Sequence, residues 1–310
     1  AALYSPDSTG LLVEIAVPPG NYSVLPTLEF NASVVASGVS LVAGAPPAHQ
    51  RRLSTSGEAT TSTVTLRPKD GHHSLIRTSP GAPPLLVRGL RLQGQVRVGS
   101  RVNFDTCAFE DCEGGALAVV DGGVVEATEC RFTRNTASVG AAMLVDGGEA
   151  AFAICRFEEN SAPNGGSAVH VRRTSGEGVV LKQRTLLVRN SEPSVASSGG
   201  RVRYELPAPR GRVIDAGSGG THQDLSIGVA GEYPLACAPG VSGASDSLTA
   251  QNGPWCKGLC PAGAMCPGAT GEPEPCGKGG YCAGSNAVAT PCLEGSYSNA
   301  TGLTSADGCT

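Results

Sequence analysis

A six-residue phrase returns along this chain at nearly constant intervals, and it leaves room for few folds. Cys107-Ala-Phe109-Glu-Asp-Cys112 is followed by Cys130-Arg-Phe132-Thr-Arg-Asn135 and Cys155-Arg-Phe157-Glu-Glu-Asn160, at spacings of 23 and 25 residues. A degenerate copy, Thr185-Leu-Leu187-Val-Arg-Asn190, holds the frame 30 residues later, and its extra length is assigned to a turn at Thr174-Ser-Gly-Glu-Gly178. Between the copies lie Gly114-Gly115-Ala116, Gly140-Ala141-Ala142 and Gly165-Gly166-Ser167, each leading into an alternating strand such as Ala116-Leu-Ala-Val-Val120. A period of about 20–25 residues without helical spacing predicts a solenoid of short parallel strands, each pairing with its equivalent about 4.8 Å along the axis.

Stacking of equivalents predicts three ladders. Cys107, Cys130 and Cys155 form one, Phe109, Phe132, Phe157 and Leu187 a second, and Asn135, Asn160 and Asn190 a third. Asn suits a corner because its amide can hydrogen-bond along the axis and tolerates left-handed backbone, and the glycines serve the opposite corner. The cysteine ladder admits two readings, small inward hydrophobes or cross-rung disulfides, with Cys112 as a further partner. Upstream the strand rhythm continues without cysteine, through 11–17, 34–42, 63–66 and 85–92, for eight or nine coils to about Ile214. Composition agrees: 43 Gly and 22 Pro with 16% charged and 4% aromatic residues suit many short strands and tight turns. The predicted fold class is therefore all-β, a right-handed parallel β-helix over residues 1–232 and a small disulfide-rich module over 233–310.

From Cys237 the texture changes to Cys, Gly, Pro, Ala and Ser. Cys237, Cys256, Cys260, Cys266, Cys276, Cys282, Cys292 and Cys309 supply eight cysteines in a segment too poor in aromatics for an ordinary core, which points to four disulfides in any of 105 connectivities. Zinc is disfavoured by the spacing and by the lack of His among these cysteines. Disulfides place the chain outside the cytosol. The sequons at Asn21, Asn31 and Asn299 agree with a secreted or cell-surface glycoprotein. No basic start with an apolar stretch opens the sequence, so an export signal is expected to have been removed or the chain to be a piece of a longer parent.

A net charge of −4 gives no nucleic-acid footprint, and no apolar run is long enough to span a bilayer. Catalytic constellations are not evident. Asp121 and Asp146 could stack at one corner, as a calcium or catalytic pair or simply as turn residues of Asp-Gly-Gly. His49, His72, His73, His170 and His222 are scattered, and a surface role is expected of each. Arg201, Arg203, Arg210 and Arg212 form the one basic cluster, suited to an anionic glycan, to a partner or to a solvated face. No cofactor is called for.

Val17-Pro-Pro-Gly-Asn-Tyr22, Gly38-Val-Ser-Leu-Val-Ala-Gly44 and Val87-Arg-Gly-Leu-Arg-Leu92 resemble the early rungs of pectin-lyase-like β-helix proteins. The Gly-Gly-Ala and Phe-x-x-Asn signatures resemble bacterial polymorphic outer-membrane proteins and related algal and protist surface proteins. Cys260-Pro-Ala-Gly-Ala-Met-Cys266-Pro-Gly, Pro275-Cys276-Gly-Lys-Gly-Gly-Tyr-Cys282 and Cys292-Leu-Glu-Gly-Ser-Tyr297 resemble ephrin-receptor-like (tumour-necrosis-receptor-like) repeats. These resemblances imply a non-catalytic structural subunit of an extracellular filament or matrix, of the kind found in mastigoneme-like flagellar hairs. Its expected partners are copies of itself or other extracellular structural proteins. A glycan-binding adhesin is the alternative, and a polysaccharide lyase or hydrolase a more distant one.

Overall fold

The computed structural model describes residues 2–7, 10–17, 20–24, 28–30, 38–43, 64–68, 74–215, 220–243, 247–253 and 256–310. It is all-β, and it divides into two compact units, one comprising Ala1–Leu181, Leu187–Val202 and Leu225–Gly231, the other Lys182–Leu186, Arg203–Asp224 and Glu232–Thr310.

The first unit is a parallel β-solenoid. Five coils run unbroken through residues 85–197, and strands Gly10–Val17, Gly20–Val24, Leu28–Phe30, Gly38–Ala43, Val64–Pro68 and Ser74–Thr78 extend the same columns upstream. One column stacks Leu85–Arg88 on Arg101–Asp105 and Val124–Thr128, pairing Phe104 with Val87 and with Ala127. A second stacks Leu90–Leu92, Ala108–Glu110, Arg131–Thr133 and Arg156–Glu158, in register Leu92, Phe109, Phe132, Phe157. The third stacks Gln95–Val98 on Leu117–Val120, whose Val119 pairs with Val98 and with Val145 of the long strand Met143–Ala153. At its start Ala2–Asp7 folds back antiparallel on Gly10–Val17.

Register does the work of a core here, because a one-residue slip would turn every apolar side chain outward. Phe109, Phe132 and Phe157 are fully buried and stack at centroid distances of 4.6 Å with planes within 6° of parallel. Phe104 and Phe152 close on this column edge-on, at 5.2 Å from Phe109 and 5.3 Å from Phe157. The electrostatics of aromatic rings favour the edge-on contacts, whereas the face-to-face spacing is imposed by the strand repeat.

The Asn ladder is as the spacing predicts, with one difference. Asn135 Nδ2 donates to Asn160 Oδ1 at 2.9 Å, and Asn160 Nδ2 to Asn190 Oδ1 at 2.8 Å. Each amide also donates back to a carbonyl of the phenylalanine column: Asn135 to Phe109, Asn160 to Phe132 and Asn190 to Phe157. The left-handed residue is not the Asn but its exposed predecessor: Arg134, Glu159 and Arg189 have φ of 54°, 55° and 51°. That turn points the amide inward and leaves a charged residue outside.

Two length expectations are corrected. Parallel coiling does not reach Ile214, because beyond Val202 the strand pairs antiparallel, Arg203 with Asp224 and Glu205 with His222. The extra residues before the fourth copy do not leave the ladder: they lie within one 14-residue strand, Val169–Lys182, which bends where the turn is expected, at left-handed Gly176 and Gly178 with φ of 47° and 82°, its stretch 172–177 exposed or partly so.

In the second unit four disulfides join cysteines that are neighbours in sequence: Cys237–Cys256, Cys260–Cys266, Cys276–Cys282 and Cys292–Cys309, with Cα–Cα distances of 5.8–6.1 Å.

Two substitutions test the solenoid's interior. Phe132→Ala should cost about 3–5 kcal/mol by emptying the centre of the ring stack. Asn160→Ala strands the Asn135 N–H and the Phe132 carbonyl in a dry site, at about 1–3 kcal/mol for each group. Urea unfolding of the wild type and both variants, with equal slopes, measures each loss.

Candidate functional site

The cysteines of the solenoid are held by the same stacking that makes the core. Cys107, Cys112, Cys130 and Cys155 are buried and none is in a disulfide, so the cross-rung bridges considered from spacing are not formed. The Cα spacing suits a bridge, but in-register ladders hold equivalent Cβ atoms about 4.8 Å apart, whereas a disulfide draws them to about 3.8 Å. Each thiol instead turns to a carbonyl: Cys107 Sγ to Val87 at 3.3 Å, Cys130 to Thr128 at 3.3 Å and Cys155 to Ala127 at 3.4 Å. Cys112 is the first rung of the Asn ladder. Its N–H donates to Asn135 Oδ1 at 3.0 Å, and its thiol donates to the Leu92 carbonyl at 3.4 Å, the role each Asn amide plays further along. Burial pushes the Cys112 thiol up to about 12, aided by the nearby Asp111 and Glu110 charges. Hydrogen bonding with Cys130, then burial, raises Cys107 well above its ordinary value.

The charged candidates are mutually engaged. Arg203 pairs with Glu205 at 2.8 Å, Arg210 with Glu272 at 3.0 Å, and Arg212 with Glu232 at 2.9 Å while also donating to the Pro234 carbonyl. Arg201 is exposed and belongs to the other unit. The basic cluster read from spacing is therefore not one patch of uncompensated charge. The solenoid flank is likewise balanced: Asp111 receives both arms of Arg134, at 2.8 and 3.0 Å, and Arg189 meets Glu158 and Glu159. Exposed pairs of this kind add little stability, about 0–1 kcal/mol each.

Asp121 and Asp146 do not stack. Asp146 pairs in register with Val120, and its carboxylate takes Arg173 at 2.7 Å, while Asp121 sits one residue further on in a left-handed turn, φ 52°. His222 is exposed, and His170 is half-buried with its pKa lowered by burial and by Arg172. His49, His72 and His73 lie outside the described residues, as does Asn31. Asn21 and Asn299 are exposed, as glycan acceptors must be. Among the described residues no three His, Cys, Asp or Glu side chains gather into a group able to hold a metal ion.

A more regular feature emerges in the second unit. Five turns share one frame: Ala208-Pro-Arg-Gly211, Cys237-Ala-Pro-Gly240, Cys260-Pro-Ala-Gly263, Cys276-Gly-Lys-Gly279 and Cys292-Leu-Glu-Gly295. All five glycines are left-handed, with φ between 74° and 85°. Each of the first four binds the next copy twice. Its carbonyl accepts from the first residue of that copy, with N–H donors Cys237, Cys260, Cys276 and Cys292, all at 2.9 Å. Its N–H donates to the carbonyl of the seventh residue, Gly243, Cys266, Cys282 or Ser298, at 2.8–3.1 Å. An added Cβ would meet a carbonyl oxygen at 2.1 Å at Gly211, 2.5 Å at Gly240 and 2.7 Å at Gly263, so glycine is required by space as well as by φ.

The frame also orders the disulfides. Where the seventh residue is Cys, as at Cys266 and Cys282, it closes on the first residue of its copy; where it is Gly243 or Ser298, the first cysteine reaches on to Cys256 or Cys309. The first copy, without cysteine, is held by a side chain. Buried Gln251 accepts from the Ala208 N–H at 3.0 Å and donates to the Ala208 carbonyl at 2.8 Å. Sequence reasoning missed this copy because it follows cysteines; the signal that finds it is the glycine in the fourth place.

No protein-family profile matches the chain, and no curated protein and no solved structure is significantly similar to it.

Two outcomes are expected. The thiol of Cys112 keeps its proton in the folded state, so its contribution to stability is whole below about pH 8.5, where an unfolded thiol titrates, and falls as pH rises toward about 12. Cys112→Ala should flatten the loss of urea stability between pH 8.5 and 10, by a slope that rises from about 0.7 toward about 1.4 kcal/mol per pH unit across that range. Gly263→Ala should open the stack, at about 1–2 kcal/mol for the left-handed backbone plus the contact with the Gly302 carbonyl. Faster exchange of the Cys276 N–H and of the residue-263 N–H, the two donors at this interface, under non-reducing conditions measures it.

Proposed function

We propose that this chain is an extracellular structural glycoprotein, a non-catalytic subunit of a cell-surface filament or matrix. The observation that carries the reading is that both units are built by axial stacking of a short repeat. The solenoid stacks coils through parallel strands, and the second unit stacks Gly turns through paired backbone bonds. Such architecture spends its side chains on propagating a repeat and leaves flanks whose charges pair among themselves. Four disulfides suit an oxidising exterior, and the exposed sequons Asn21 and Asn299 suit glycosylation there. No described helix is long and apolar enough to cross a membrane. The resemblance to pectin-lyase-like and polymorphic-outer-membrane-type repeats, and to ephrin-receptor-like cysteine repeats, points the same way, toward large surface proteins such as those of mastigonemes.

Negative-stain imaging and sedimentation of the natively isolated protein, before and after reductant, test the proposal. Regular filaments with this chain as the repeating subunit are expected. Discrete monomers in both conditions would overturn it and leave saturable glycan binding as the property to measure next.

A further inference from the structure

Two Asn-Gly dipeptides occur in the chain, Asn164-Gly165 and Asn252-Gly253, and the fold treats them differently. An asparagine followed by glycine is able to close on its own main chain, because glycine has no side chain to shield the backbone nitrogen from the amide carbon before it. Asn252 is held against this at both ends. It is half-buried, its Nδ2 donates to the Gly220 carbonyl at 2.9 Å, and the Gly253 N–H donates to the Ile214 carbonyl at 2.8 Å. The ladder asparagines are held more firmly still. Asn160 is buried, its Nδ2 donates to the Phe132 carbonyl and to Asn190 Oδ1, and the N–H that follows it, that of Ser161, donates to the Asn135 carbonyl at 2.9 Å.

Asn164 carries no such restraint on its side chain. It is exposed, in the turn Ala162-Pro163-Asn164-Gly165, and its amide makes no hydrogen bond among the described residues. The Gly165 N–H donates to the Ala162 carbonyl at 3.1 Å, a bond within the turn that opens without parting one coil from the next. Gly165 has φ 103°, a conformation that residues with a side chain rarely adopt, so the turn requires the very residue that makes the dipeptide reactive. We propose that Asn164-Gly165 is a site at which the folded chain modifies itself. The Gly165 nitrogen loses its proton and attacks Asn164 Cγ; the new C–N bond closes a cyclic imide, and the side-chain nitrogen leaves as ammonia with that proton. Water then opens the imide. Addition at Cγ gives aspartate, and addition at the main-chain carbonyl gives isoaspartate, in which the chain runs on through Cγ and is one carbon longer. Both products place a carboxylate where an amide stood. The second also lengthens a corner with little slack: the Gly165 carbonyl accepts the Gly140 N–H of the preceding coil, and a Cβ at Gly166 would meet the Val169 carbonyl oxygen at 2.6 Å. This chemistry needs only water and does not rest on the filament reading.

The test is incubation of the full chain, disulfides intact, in mildly alkaline buffer, followed by peptide mapping with fragmentation that tells isoaspartate from aspartate. Asn164 should convert about tenfold or more faster than Asn252, where two tertiary bonds must open first, and faster again than Asn135, Asn160 and Asn190. Isoaspartate should be among the products, since direct hydrolysis of the amide cannot form it, and the rate should rise with hydroxide concentration. In the isoaspartyl chain the Gly140 N–H should exchange about tenfold or more faster than in the unmodified one. Asn164→Gln, whose longer side chain closes the ring far less readily, should keep the fold and lose the conversion. An Asn164 that stays an amide while the reduced, unfolded chain converts there, an Asn252 that keeps pace with it, or aspartate formed alone would overturn the proposal. Unchanged exchange at Gly140 would overturn the loosening of the corner. Conversion is read on the unsubstituted chain, so the result stands even if the variant fails to fold.

Discussion

A strand of three or four residues cannot satisfy its own backbone, and everything in this protein follows from that. Strands as short as Ala108–Glu110 or Arg131–Thr133 acquire hydrogen-bond partners only when an equivalent strand lies one coil above or below. Once that is so, each side chain has its own equivalent for a neighbour. A residue type that tolerates self-contact is favoured at every inward position, which explains columns of Phe, Asn and Cys in place of an irregular core.

The constraint also accounts for where the charges sit. The corner residues before the inward Asn must adopt left-handed backbone, at a cost non-glycine residues seldom bear, and they are set outside where their side chains meet the next coil. Asp111 with Arg134 and Glu159 with Arg189 put opposite charges on successive coils, so like charges do not stack. The second unit meets the same need with different means. It has too little apolar material for a core, and it closes its turns with disulfides, or with the buried amide of Gln251 where no cysteine is present.

Much of the solenoid was legible in the sequence because the ladders are written as identical residues at matching positions: Phe109, Phe132 and Phe157 could be aligned by eye, and they stack. The arginine cluster was legible only as proximity in sequence. Its partners, Glu205, Glu232 and Glu272, lie 2 to 62 residues away and are chosen by the fold. The thiols illustrate the same limit. Spacing brings Cys107, Cys130 and Cys155 into one column, but whether they bond or merely stack depends on a difference of about 1 Å between Cβ separations, which no spacing encodes.

By itself, then, the sequence determined periodicity: a parallel solenoid with inward Phe, Asn and Cys columns and a cysteine-rich segment after it, since period and residue type are local properties. Only the tertiary structure decided which cysteines are joined, where parallel coiling gives way to antiparallel pairing, and that a turn without cysteine at Ala208 belongs with the four that follow. Those outcomes rest on backbone hydrogen bonds between residues 13 to 32 apart, such as Cys276 N–H to the Gly263 carbonyl and Gly211 N–H to the Gly243 carbonyl, and a backbone N–H carries no residue-specific mark by which its distant acceptor could be read.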